Sequence, residues 1–336
     1  MIIKKMELDL VVDMYGCPNR CKHCWLGHMP NRIMEEGSDE FIVTYFDPYF
    51  DKITYYSWAR EPDYCDDYRE RWYRDIKLSK NSVPERFELG SFYRMVRDEN
   101  YIPFLKEVGV KKVQLSFFGL KETQDYYVGR KGAYEEIMKA SDLLIENGVI
   151  PRWQCFINKE NKDEILELYK MAKKIRTEKC KELEFFVHEG TCDGENRKLY
   201  DIRIDWNEVP EELMEVFLDY KDVMSERQCC EILMKDESIP DLHYGDSVVL
   251  YISNTFDVFY NFTNMTKPWI IGNLKTDEPK ELVRKIIEED TYALNRIRKT
   301  SWPYLVKHYG NMESEKMFRM EDYTIYLFNE YLKEEE

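Results

Sequence analysis

No run of about 18 apolar residues occurs in this sequence, so no membrane span is expected. Two lysines near the start are followed by Glu7 and Asp9, which does not read as a secretory signal. Short repeats and low-complexity linkers are missing as well. Positive charge is scarce: 49 Lys and Arg stand against 65 Asp and Glu, a net charge of −16. Without a basic stripe to neutralise phosphates, a general nucleic-acid binder is not expected. A basic peptide or a cationic small molecule remains open as substrate. A disulfide scaffold is also unsupported. The nine cysteines are an odd number, and three of them bunch within eight positions. A reducing cytoplasm and a metal site suit them better.

What is present suffices for a large core. Of 336 residues, 43% are apolar and 34% charged, as in soluble globular proteins. That length allows one α/β domain of barrel size, or a core domain with an appendage. Strands are expected over 8–16, 51–63, 83–92, 111–119, 149–158 and 183–190. Helical patterns cover 93–109, 133–148 and 161–175, with Gly109 and Gly148 as closing residues. Such alternation implies parallel strands joined by right-handed crossovers. About six units, not eight, imply an incomplete barrel. Ligands gather at the carboxyl ends of parallel strands. Those ends carry the cysteines, Glu61, Ser116, Asn158 and His188.

Near residue 205 the texture changes. A helix over 211–236, a hairpin over 247–262 and a helical remainder are expected. The fold class is therefore α/β: a partial (β/α)6 TIM-like barrel over 1–205, and a smaller α+β region over 206–336.

The stretch GCPNRCKHCW, residues 16–25, holds Cys17, Cys21 and Cys24 in one loop. Thiolates are soft donors that suit zinc or iron–sulfur clusters. Structural zinc closes with four ligands, and an electron-transfer [4Fe–4S] cluster uses four thiolates. Three thiolates would leave one iron open to a chelating substrate. The rival is a zinc knuckle closed by His28; His23, between two of the cysteines, is poorly placed to close that ring.

Cys17-x3-Cys21-x2-Cys24 resembles the signature of the radical S-adenosylmethionine (SAM) superfamily. The resemblance implies that the open iron chelates the amino and carboxylate groups of SAM. It implies further that one electron from the reduced cluster yields a 5′-deoxyadenosyl radical, which abstracts hydrogen from an unactivated carbon. His23 sits where the family prefers an aromatic ring. Glu61-Pro62 resembles the end of the family's Gly-Gly-Glu-Pro turn, which holds the SAM amino group; Ala59 and Arg60 stand in place of the glycines. Ser116, Arg130 and Asn158 resemble further SAM contacts: ribose or methionyl, carboxylate, and ribose.

Ile270 to Asp277 resembles part of a SPASM or twitch extension, common on peptide-modifying members. Its auxiliary cluster normally needs cysteines, and none follows Cys230. The expectation is a SPASM-like region without an auxiliary cluster. The adjacent Cys229 and Cys230 are either packing or a source of a returned hydrogen atom. The whole reading is a cytoplasmic radical SAM enzyme with a [4Fe–4S] cluster and SAM. It would act on a ribosomally made peptide or a small metabolite, fed by an external one-electron reductant such as flavodoxin or ferredoxin. A zinc-stabilised binding module and an iron–sulfur electron carrier are the readings of another class.

Overall fold

The computed structural model describes residues 7–24, 26–27, 29–192, 197–217, 222–242, 247–261 and 263–333. Strand β1 (Glu7–Val12) alternates strictly: Leu8, Leu10 and Val12 are fully buried, whereas Glu7 is exposed. β2 (Lys52–Tyr56) lies parallel to it. A second parallel group is formed by β3 (Lys112–Phe117), β4 (Ile150–Phe156) and β5 (Glu184–His188).

The period of two in this second group sorts structure from chemistry. Val113, Leu115, Phe117, Trp153 and Cys155 enter a core covered by helices Tyr101–Glu107, Ala133–Glu146 and Lys162–Glu178. Their neighbours Gln114, Ser116, Gln154 and Phe156 line a cavity instead. The helices supply Ile137, Ala140 and Leu144, then Ile165, Leu168 and Ala172, each set at helical spacing.

Residues 83–92, expected as a strand, form no ladder. A single backbone bond, from the Gln114 N–H to the Glu88 carbonyl at 2.6 Å, and the Lys112–Glu88 ion pair tie them to β3 among the described residues. Pro84 brings no donor, and Arg86 turns inward to pair with Asp63. The parallel strands therefore fall into two groups rather than one continuous wall. The expected helix over 93–109 is likewise two, Phe92–Met95 and Tyr101–Glu107.

Beyond residue 206, the expected helix over 211–236 is also interrupted. Helix Glu211–Met214 precedes β6 (Val223–Ser225), and helix Glu226–Leu233 follows directly. A capping box starts that last helix: Ser225 Oγ accepts from the Gln228 N–H, and Gln228 accepts from the Ser225 N–H. The hairpin forms as expected from β7 (Ser247–Ile252) and β8 (Asp257–Tyr260).

Its placement is the main feature of the topology. β7 runs parallel to β1 over six residue pairs, on the edge opposite β2. With β9 (Gly272–Asn273) the sheet order is β2-β1-β7-β8-β9. Val248, Leu250 and Ile252 share a core with Leu8, Leu10, Val12 and Ile53. β10 (Met317–Arg319) pairs with β6. Helices Trp302–Tyr309 and Met320–Lys333 close a third core, which contains Cys229 and Cys230, both fully buried and neither lining the cavity. No helix among the described residues is long and apolar enough to cross a membrane.

Candidate active site

The cysteine loop leaves β1 through a turn that only glycine fits well. Gly16 has φ +83°, and a Cβ there would lie 2.7 Å from Asn31 Oδ1. That close approach lets the Asn31 amide clamp Cys17: its Nδ2 donates to the Cys17 carbonyl at 2.6 Å, and its Oδ1 accepts from the Cys17 N–H at 3.2 Å. The far side of the loop is laid on the end of helix Lys121–Val128. The N–H groups of Arg20 and Lys22 donate to the carbonyls of Val128 and Tyr127. Gly129 permits this approach, since a Cβ there would meet the Arg20 carbonyl at 2.6 Å.

Cys17, Cys21 and Cys24 all line a cavity of about 490 Å³ at the carboxyl ends of the strands. Burial pushes the Cys17 thiol well above its usual range, and the carboxylate of Glu61 adds to the effect. Burial, then Cys24, pushes Cys21 up to about 12. Both thiols thus carry protons at neutral pH until a cation displaces them. Among the described residues, no three His, Cys, Asp or Glu side chains gather closely enough to hold a single ion. Three soft donors spread along one loop suit separate corners of an iron–sulfur cube. His28, the rival fourth ligand, lies outside the described residues.

Glu61 faces the same cavity. Its Oε1 accepts from Ser91 Oγ at 2.5 Å, and its Oε2 lies 3.8 Å from Cys17 Sγ. Burial pushes its carboxyl up to about 7, against the pull of the Ser91 hydrogen bond. Three arginines hold the turn that carries it. Arg60 forms a bidentate pair with Asp13, at 2.9 and 2.8 Å. Arg86 pairs with Asp63, and Arg94 donates to the carbonyls of Asp63 and Tyr64. Arg60 stands where the resemblance implies a glycine; its guanidinium reaches Asp13 and the carbonyls of Met29 and Pro30, and so ties the turn to the cysteine loop.

The remaining expected residues divide. His23 is packed against Phe118 and Phe156, with ring centroids 3.9 and 5.0 Å away. Burial lowers its pKa to about 3, so the ring is neutral and acts as an aromatic wall. Ser116 lines the cavity, and its carbonyl accepts from Gln124. Arg130 stands just behind the lining. It donates to Asn19 Oδ1 and pairs with Glu136, and one terminal nitrogen is buried with no acceptor among the described residues. Asn158 lines a smaller adjoining cavity, and its side chain bonds Tyr127 and the N–H groups of Glu160 and Asn161.

Several cavity residues were not anticipated. Gln114 and Gln154 join their amides at 2.7 Å on one wall. Ser91, fully buried and bonded to Glu61 behind the cavity wall, carries no local signal either. Arg319 arrives from β10, reaches His188 at 2.9 Å and pairs with Glu189 and Asp322.

A cysteine loop and an acidic turn stand together at the open end of parallel strands, where α/β enzymes bind their ligands. Residues 11–172 match the Radical SAM superfamily and form a domain of that kind; the enzymes of that superfamily use a [4Fe–4S] cluster and SAM. Solved structures share the fold. anSMEcpe with bound AdoMet matches at 15% identity and a TM-score of 0.55, over 98% of each chain. anSMEcpe with AdoMet and the Cp18Cys peptide matches at 16% and 0.54, over 98% of this chain and 97% of that one. Streptococcus suis SuiB bound to the precursor peptide SuiA matches at 16% and 0.50, over 94% and 75%. No curated protein matches the sequence.

Proposed function

We propose that Cys17, Cys21 and Cys24 hold a [4Fe–4S] cluster, and that SAM binds beside it to initiate hydrogen abstraction from a peptide. One observation carries this reading: three thiols of a single loop and a buried carboxylate open together onto one cavity. When bound there, the cluster would supply the one electron that cleaves SAM to methionine and a 5′-deoxyadenosyl radical.

The chain's own residues provide binding, order and exclusion of water. Glu61, carried on a turn tied at three points, accepts the ammonium of SAM. A cation there lowers its pKa and favours the carboxylate. Arg130, with a nitrogen still to be matched, suits the SAM carboxylate. Ser116 is the proposed ribose or methionyl contact, and Asn158 the proposed ribose contact. His23, Phe118 and Phe156 form an apolar wall that keeps water from the reacting atoms.

A peptide is favoured as substrate because structures of anSMEcpe and SuiB, which share this fold, hold peptides. Residues 206–336 are proposed as a SPASM-like region without an auxiliary cluster, since no cysteine follows Cys230. An external one-electron donor, flavodoxin or ferredoxin, would complete the system.

Anaerobic reconstitution with iron and sulfide tests the proposal. The protein should turn brown, bind about four irons and, once reduced, release 5′-deoxyadenosine from SAM. Cys21→Ala should abolish both colour and SAM cleavage. A colourless protein that takes up zinc instead would overturn the reading.

A further inference from the structure

Asn254 follows β7 and is buried, 224 residues from Pro30 and 241 from Asp13. Its Nδ2 donates to the Pro30 carbonyl at 2.8 Å and to Asp13 Oδ2 at 3.0 Å. The same two acceptors receive Arg60 Nη2, at 3.1 and 2.8 Å. Arg60 adds a bond to the Met29 carbonyl at 2.9 Å. Arg60 and Asp13 are 5% and 1% exposed, so the pair is shielded from water and from salt. The sheet supports the same contact, because the Asp13 N–H donates to the Ile252 carbonyl at the end of β7.

The junction touches three segments: the end of the hairpin strand, the acidic turn and the exit limb of the cysteine loop. Pro30 is followed by Asn31, the residue that clamps both peptide groups of Cys17. A hold on the Pro30 carbonyl is therefore one residue from a hold on Cys17.

We propose that Asn254, Asp13 and Arg60 form a brace by which the C-terminal hairpin positions the cysteine loop. They are positioning residues that act through Asn31 on Cys17 and through the Arg60 backbone on Glu61. The hairpin, which carries no cysteine of its own, instead stabilises the loop that does. This inference rests on the cysteines being the metal ligands, but the brace itself exists in the metal-free chain.

The test uses full-length protein with Asn254→Ala, Asn254→Asp, Arg60→Lys and, as control, Ser225→Ala. The control removes a helix cap outside the junction and lowers global stability without touching the brace. Amide exchange over residues 14–34 is measured on the metal-free proteins, and iron loss to a chelator on the reconstituted ones. Asn254→Ala and Arg60→Lys should each raise exchange there and speed iron loss about fivefold or more, the factor expected from loss of one or two hydrogen bonds. Asn254→Asp should be worse, since it sets a carboxylate against Asp13. Ser225→Ala should leave both readouts unchanged. Wild-type behaviour of the Asn254 and Arg60 variants, or an equal effect of Ser225→Ala, overturns the brace. If wild type takes up no iron, the cluster reading falls, and amide exchange alone decides the brace.

Discussion

Cys17 owes its position to two neighbours of opposite kind: a glycine that adds nothing and an asparagine that bonds twice. Gly16 tolerates φ +83° and leaves room for Asn31. Gly16→Ala would place a Cβ in contact with Asn31 Oδ1 and force a left-handed backbone on an alanine. We expect a loss of roughly 1–3 kcal/mol, read as a lower melting temperature of the metal-free protein. An unchanged melt would mean that the turn relaxes without cost. The cysteines were legible in the sequence because ligand spacing within one loop is local information. Asn31 was not, because an asparagine between Pro30 and Arg32 looks like any turn residue until its amide is seen against Cys17.

At the scale of elements, a helix and a strand end are joined by a buried acid. Asp75, on helix Tyr68–Leu78, is 1% exposed and accepts from both the N–H and the Oγ of Ser57, just past β2. Burial, opposed by the Ser57 bonds, pushes its carboxyl from 3.8 up to about 7. Between those values the folded chain holds a proton that the unfolded chain has released. Stability from this group is thus full below about pH 4 and falls as pH rises through about 7. Asp75→Asn keeps an acceptor for Ser57 and removes the titration. Its stability relative to wild type should be higher at pH 8 than at pH 5, by at most about 3 kcal/mol, since about two pH units separate pH 5 from the folded-state value. Denaturant melts at the two pH values check this, and equal differences would reject the assignment. β1, β3, β4 and β5 were legible from their alternation. The break in 211–236 was missed, although Ser225 with Gln228 is a capping-box signal that marks a helix start there.

For the molecule as a whole, the decisive contact is β7 on β1. A boundary near 205 follows the change in sequence texture, yet the sheet and its core cross it. Removal of residues 206–336 would expose the open edge of β1 and uncover Leu8, Leu10 and Val12. A 1–205 fragment should therefore lack a cooperative thermal transition and aggregate, as measured by calorimetry and light scattering. A fragment that melts cooperatively as a monomer would show that the first region folds alone. Arg319 belongs to this scale too, since β10 delivers it to the cavity wall from far along the chain.

Local patterns were enough to read the parallel α/β layout and the three-thiol loop, while Glu61 was singled out by the resemblance of its turn. Each depends on residues a few positions apart, and backbone period and ligand spacing act over that range. The pairing of β7 with β1, the bonds from Asn254 to Asp13 and Pro30, and the entry of Arg319 into the cavity came only from tertiary packing. They join residues more than a hundred positions apart, and such pairings are chosen by the burial of whole faces rather than by any motif.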